Sequence, residues 1–277
     1  MRLAILSGKG GAGKTFVSVN LAATLKHCTY VDCDVEEPNG HLFLDSAHKT
    51  SQLVYTKLPS IDKEKCNGCR ACVDFCHFNA LLYLVNKPLL FPEVCHSCGG
   101  CMLVCKQNAI CEVDHEVGHI DIGNYEDIKV ISGYLNAGES SGIPVIKQAQ
   151  ACAAEDDNVI YDCPPGSACS VMETVQEADY CILVAEPTAF GFHNFCMVYE
   201  LVSLLHKPCG VVINKEDETY LPLINFCKEH KLPILMKIPY KKEVAKESAN
   251  GKLAVTFDEE IQANFNALAM QLKGVCL

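Results

Sequence analysis

The chain has 277 residues, of which 49% are hydrophobic and 21% charged, with a formal net charge of -11, enough for one large α/β domain or a smaller one carrying an insertion. The acidic balance excludes a general grip on DNA or RNA, whose affinity comes chiefly from lysine and arginine on phosphates, so no nucleic-acid partner is expected. No run of about 18 apolar residues could span a bilayer, and the opening MRLAILSG is too soon broken by glycine for a signal peptide.

The expectation is therefore a cytoplasmic protein for which a membrane is not a partner. Its nineteen cysteines are then metal ligands, reactive thiols or small buried hydrophobes, not a disulfide framework.

In chain order, RLAILS predicts a first strand, followed at once by SGKGGAGKT and a helical pattern over 14–27. Gly8, Gly13, Lys14 and Thr15 fit G-x-x-x-x-G-K-[ST] in the strand–loop–helix context that this phosphate-binding pattern requires. The stretch Gly8, Gly10, Gly11, Ala12, Gly13 lets successive backbone N–H groups turn toward a phosphate chain. Lys14 then reaches the β and γ phosphates and Thr15 holds Mg2+. Lys9 is a second cation where Lys14 already serves the phosphates, and a neighbouring subunit is one place where it could act. TYVDCD predicts a second strand ending on Asp32 and Asp34.

Between about 57 and 115 the strand–helix rhythm stops, eight cysteines fall within 40 residues, and no long helix fits. Strand patterns precede and follow this region, so it reads as an insertion: 1–56 and 116–277 form one domain and 57–115 a second, smaller one. Cys66, Cys69, Cys72 and Cys76, then Cys95, Cys98, Cys101 and Cys105, each obey C-x2-C-x2-C-x3-C. That run wraps a [4Fe–4S] cluster, with the fourth cysteine ligating the other cluster in two-cluster ferredoxins. The crossed assignment puts Cys66, Cys69, Cys72 and Cys105 on one cluster, and Cys95, Cys98, Cys101 and Cys76 on the other. Zinc is the competing reading, but tetrahedral sites pair two C-x2-C knuckles and have no use for the third cysteine of each run.

Residues 132–143, SGYLNAGESSGI, read as a glycine- and serine-rich loop. NVIYDCPP then predicts a strand ending on Asp162, and further strands are read in YCILVAEP, CGVVINK and PILMKIP, with helical patterns at 168–178, 192–206, 219–230 and 257–272. The alternation is that of a doubly wound, mostly parallel sheet, which binds ligands at the carboxyl ends of its strands. Cys33 and Cys163 are read as inert packing, His193 as structural, and the final FNALAMQLKGVCL as a docking helix.

Residues 8–15 resemble the deviant Walker A loop of the MinD/ParA-like and nitrogenase iron protein ATPases. The resemblance implies that Lys9 crosses a dimer interface to the partner's nucleotide, that Asp34 positions the attacking water and that Asp162 holds magnesium through water, with Gly166 free to move. It also implies that Asn214 and Pro239 lie on the adenine side, and hence ATP, although Asp217 completes the N-K-x-D pattern of GTPases. The insertion resembles a bacterial two-cluster ferredoxin, an α+β unit, in which the usual proline after each fourth cysteine is replaced by His77 and Lys106. Those replacements restore a backbone N–H near a cluster sulfur, and raised potentials are expected.

Together these features resemble a MinD superfamily ATPase with an inserted ferredoxin domain. They imply dimer-dependent ATP hydrolysis, ATP/ADP, Mg2+ and two [4Fe–4S] clusters as cofactors, and a homodimer or a heterodimer with a related ATPase. The client they imply is a redox or metallocluster protein. The alternative is a positioning ATPase whose clusters are structural or sense redox state.

Overall fold

In the computed structural model, which describes residues 1–275, strand β1 (Arg2–Leu6) lies inside a nine-stranded sheet. To one side lie β9 (Tyr180–Ala185), β10 (Cys209–Glu216) and β11 (Ile234–Pro239); to the other, β8 (Val159–Asp162), β2 (Thr29–Asp32) and β7 (Ile128–Leu135). All of these pairings are parallel. Both faces are covered, which is why these strands read as near-continuous apolar runs.

Helices α4 (Ile143–Ala151), α5 (Cys169–Gln176), α6 (Ala189–Leu204) and α7 (Leu221–Glu229) bury one face around Val31, Ile131, Tyr161 and Phe195. On the other face, α1 (Lys14–Leu25), α8 (Lys242–Ala249) and α9 (Glu259–Val275) enclose Leu3, Ile5, Leu21 and Ile182. Register then fixes the site: Ile5 pairs with Asp162 and Asp162 with Asp32, so three strand ends finish level with one another.

The sheet ends in antiparallel strands. β6 (Ile110–Tyr125) pairs with β7, and β3 (Ala47–Ile61) with β6, from Ala47 opposite Asn124 to Ile61 opposite Ile110. The outer half of this two-stranded arm carries residues 62–109: helices α2 (Ala71–Phe75) and α3 (Gly100–Leu103) and a hairpin of β4 (Leu81–Leu84) with β5 (Lys87–Leu90). Its own small core is built on Cys72, Leu81 and Ile110.

Several sequence expectations need correction. Ser132–Leu135 belong to β7 and are not loop; Gly133 reflects close packing, since a Cβ there would come within 2.7 Å of Val35 and 3.0 Å of Val145. α1 stops at Leu25, short of 27, because Lys26 and His27 take positive φ. α9 spends the apolar face of the supposed docking helix on the sheet: Ile261, Phe265, Leu268 and Leu272 are buried, and Phe265 meets Phe16 edge-on. Cys276 and Leu277, which end that stretch, lie outside the described residues. His193, read as structural, is exposed on α6. Among the described residues no helix is long and apolar enough to cross a membrane.

Candidate functional site

The loop between β1 and α1 is shaped by its glycines. Gly11 and Gly13 take φ of +80° and +95°, and Gly13 caps α1 directly before Lys14. A Cβ on Gly8 would come within 2.1 Å of the Asn194 carbonyl oxygen, so α6 closes on the loop's first turn. The end of β10 clamps the other side: Asn214 donates from Nδ2 to the Ala12 carbonyl (2.9 Å) and Lys215 from Nζ to the Gly11 carbonyl (2.7 Å). Beside the loop opens a cavity of about 730 Å³ lined by Lys9, Gly10, Gly11, Gly13, Lys14, Thr15 and Asp34, a volume suited to a nucleotide.

At its floor Lys14 Nζ donates to Asp162 Oδ1 (2.8 Å) and Asp34 Oδ2 (3.5 Å). Burial works against the Lys14 charge, but the carboxylates of Asp162, Asp34 and Asp32 overcome it and hold the ammonium above its ordinary range. Asp162 is fully buried, and its second oxygen accepts from the Tyr30 hydroxyl at 2.9 Å. Asp32 is also fully buried; its two oxygens accept the amides of Asp34 (3.1 Å) and Gly40 (2.8 Å), which folds the 34–40 loop over the strand end. Burial, and then the charge of Asp162, raise the Asp32 carboxyl above the ordinary carboxylate range against the pull of Lys14. Asp32, which ends β2, is thus spent on the loop, and Asp34, two residues beyond the strand, faces the cavity. Asp34 is itself raised, chiefly by burial.

Lys9 does not point away from its own subunit. Its Nζ lies 2.5 Å from Glu186 Oε2 and 5.2 Å from the Phe190 ring centre. Glu186, at the end of β9, was not singled out in the sequence.

A second hollow of about 120 Å³ adjoins the loop at Gly13 and Phe16, and Asn214, Pro239 and Ser248 line it. The Ser248 hydroxyl oxygen is buried with no hydrogen-bond partner among the described residues. Asp217, which completes the GTPase-like pattern, is not among the residues lining it. Gly166 has φ of +90° and donates its amide to the Ser7 carbonyl (2.9 Å). Cys33 and Cys163 are fully buried, and burial pushes both thiols well above their ordinary range, which is the behaviour of packing residues.

The cysteine runs sort into two groups. Cys66, Cys69, Cys72 and Cys105 line one hollow, and Cys76, Cys95, Cys98 and Cys101 line another. Burial raises the Cys72 thiol, reinforced by its neighbours Cys66 and Cys105, and the Cys95 thiol is raised in the same way with Cys76 and Cys98 beside it. The Ala109 amide donates to Cys105 Sγ at 3.3 Å. Among the described residues no three His, Cys, Asp or Glu side chains close tightly enough to hold a single metal ion.

A glycine-cradled helix start, a buried lysine among aspartates and a central parallel sheet define a P-loop nucleotide-binding protein. Residues 3–255 match the model of the CobQ/CobB/MinD/ParA nucleotide binding domain, and the chain belongs to that family. It is 29% identical over 279 residues to the uncharacterized protein MJ0578 of Methanocaldococcus jannaschii, covering 99% of this chain and 96% of that one. A second uncharacterized protein of the same organism, MJ0579, is 25% identical over 271 residues, covering 94% and 93%. Among solved structures, the septum site-determining protein MinD of Pyrococcus horikoshii, complexed with Mg-ADP, superposes with a TM-score of 0.60 at 18% identity, over 100% of this chain and 98% of that one. An ATP complex of a Cyanothece McdA variant gives 0.59 at 17%, over 98% and 96%. At these identities the two structures speak for the fold alone.

Proposed function

We propose that the chain is a dimeric switch that binds ATP with Mg2+, hydrolyses it, and couples its nucleotide state to two [4Fe–4S] clusters serving electron transfer to, or metal-centre assembly on, a partner protein. The observation that carries the ATPase part is the Lys14 ammonium held between Asp162 and Asp34 on the floor of the large cavity. When the β and γ phosphates enter, Lys14 turns from the carboxylates to them, leaving Thr15 and Asp162 as the residues that would hold Mg2+, whose chemistry is to neutralise charge on the transferring phosphoryl group. Asp34, at the cavity wall, orients the attacking water. Lys9 leaves Glu186 and reaches across to a second subunit, acting as a finger on the partner's nucleotide.

Support for the cluster part is the spacing of the two runs together with their sorting into two four-cysteine hollows. The quartet of Cys66, Cys69, Cys72 and Cys105 would hold one cluster and that of Cys76, Cys95, Cys98 and Cys101 the other, each supplying one-electron chemistry. A physical connection joins the halves: β6 leads out of the cysteine unit and pairs with β7, whose last residue, Leu135, donates its amide to the Val35 carbonyl directly after Asp34 (2.9 Å). Nucleotide-driven movement of the 34–40 loop therefore pulls on the strand that carries the cysteines.

Anaerobic iron and sulfide analysis beside an ATP hydrolysis assay of the wild type and Lys14→Ala tests this reading; zinc in place of iron, or hydrolysis indifferent to Lys14→Ala, overturns it. The likeness in fold to MinD and McdA favours a second reading, a positioning ATPase. Binding to liposomes that tracks ATP, with cluster potentials indifferent to nucleotide, decides for it.

A further inference from the structure

Tyr30 is the single aromatic residue of β2, and it is fully buried. A phenol so placed must find a partner for its hydroxyl. It finds Asp162: the hydroxyl donates to Oδ2 at 2.9 Å while Lys14 donates to Oδ1 at 2.8 Å.

The hydroxyl end of the phenol also lies against the loop that follows Asp34. A Cβ on Gly40 would lie 2.2 Å from the Tyr30 hydroxyl oxygen and 2.4 Å from Cε1. The Gly40 backbone therefore rests against the phenol, and its amide is pinned to Asp32 Oδ2.

We propose that Tyr30 is a positioning residue for the magnesium–nucleotide complex: it ties up Asp162 Oδ2, leaving Oδ1 as the oxygen that would face the cation once Lys14 moves to the phosphates, and it couples that carboxylate to the 34–40 loop through Gly40. This deepens the proposed function and rests on the reading of Asp162 as the magnesium residue. Tyr30 is fully buried and is not among the residues lining the cavity. Its effect is geometric, fixing the rotamer of a carboxylate whose small misplacement weakens the contact.

The test titrates Mg2+ into a fluorescent ADP analogue bound to wild type, Tyr30→Phe and Asp162→Asn, each with a baseline in EDTA. Loss of a hydrogen bond to a charged acceptor predicts that Tyr30→Phe raises the half-maximal Mg2+ concentration roughly tenfold and leaves affinity in EDTA within about twofold. Asp162→Asn raises it further. A Tyr30→Phe protein that only melts earlier, its Mg2+ midpoint unmoved while Asp162→Asn shifts, overturns the inference and spares the Asp162 reading. An unmoved midpoint in Asp162→Asn overturns both. Should Tyr30→Phe fail to fold, Gly40→Ala keeps the phenol but pushes it off Asp162; the same rise is expected, and no rise overturns the inference.

Discussion

Lys14 Nζ and Asp162 Oδ1 lie 2.8 Å apart across 148 residues of sequence, because β1 and β8 run side by side and end at the same level. Lys14 thus has a buried anionic partner of its own within the subunit.

Lys14→Ala should act on binding and on stability separately. Removing the ammonium leaves the buried Asp162 carboxylate with the Tyr30 hydroxyl as its remaining side-chain partner among the described residues, an uncompensated charge worth about 3 kcal/mol of destabilisation. Chemical denaturation of the nucleotide-free variant should show that loss, and fluorescent nucleotide should bind about 100-fold more weakly. Lys14→Ala/Asp162→Asn should recover most of the stability and none of the binding. Recovery of binding would show that Lys14 serves the fold and not the phosphates.

Asp32 gives a prediction in pH. Its carboxyl is raised in the folded protein, so the native state holds this proton more tightly than the unfolded chain does. As pH rises above the ordinary carboxylate value of about 4, the unfolded chain gives up the proton first, and stability contributed by protonated Asp32 is progressively lost. Asp34 is raised as well and adds to the trend. The melting temperature of the nucleotide-free protein should fall with pH through this window, and Asp32→Asn should flatten that slope while lowering stability overall, because an amide nitrogen cannot accept from Gly40. A slope unchanged in Asp32→Asn would mean that other carboxyls set it.

The Lys9–Glu186 pair predicts opposite effects at its two ends. With Glu186→Gln, Lys9 loses its carboxylate partner and should be more available to a second subunit, so dimerisation with a nonhydrolysable ATP analogue should occur at a protein concentration a few-fold lower. Lys9→Ala should keep nucleotide binding by the monomer and lose dimer-dependent hydrolysis. Sedimentation velocity against protein concentration separates them; identical behaviour of the two variants would remove the cross-subunit role.

Much of this was legible in the residues. Parallel strands buried on both faces announce themselves as apolar runs, the glycine loop follows from its motif and Asp162 from its position at a strand end, whereas Asp34, two residues beyond β2, follows from the family resemblance. The antiparallel arm was not legible, because KTSQLVYTKLPSI mixes polar and apolar residues on strands that are largely solvent-facing. α8 was missed for a related reason: KEVAKESA buries Val244 and little else. Tyr30, Glu186 and Ser248 belong to no motif. The one available signal was Tyr30 itself, a phenol in the short strand that leads to Asp32.

If the cysteine quartets hold the proposed clusters, they allow a test of pairing that single substitutions cannot provide, since any one cysteine change would damage one cluster under either connectivity. Cys66 and Cys105 line the same hollow, whereas Cys95 lies in the other. If each fourth cysteine serves the opposite cluster, Cys66→Ser/Cys105→Ser spoils one cluster and should retain about four of the eight irons after anaerobic reconstitution, with the spectrum of a single cluster. Cys95→Ser/Cys105→Ser takes one ligand from each and should lose nearly all of them. Sequential pairing inverts the two results, because Cys95 and Cys105 then share a cluster and Cys66 and Cys105 do not. Iron quantitation with electron paramagnetic resonance of the reduced protein reads the difference, and zinc in the wild type would dismiss both schemes.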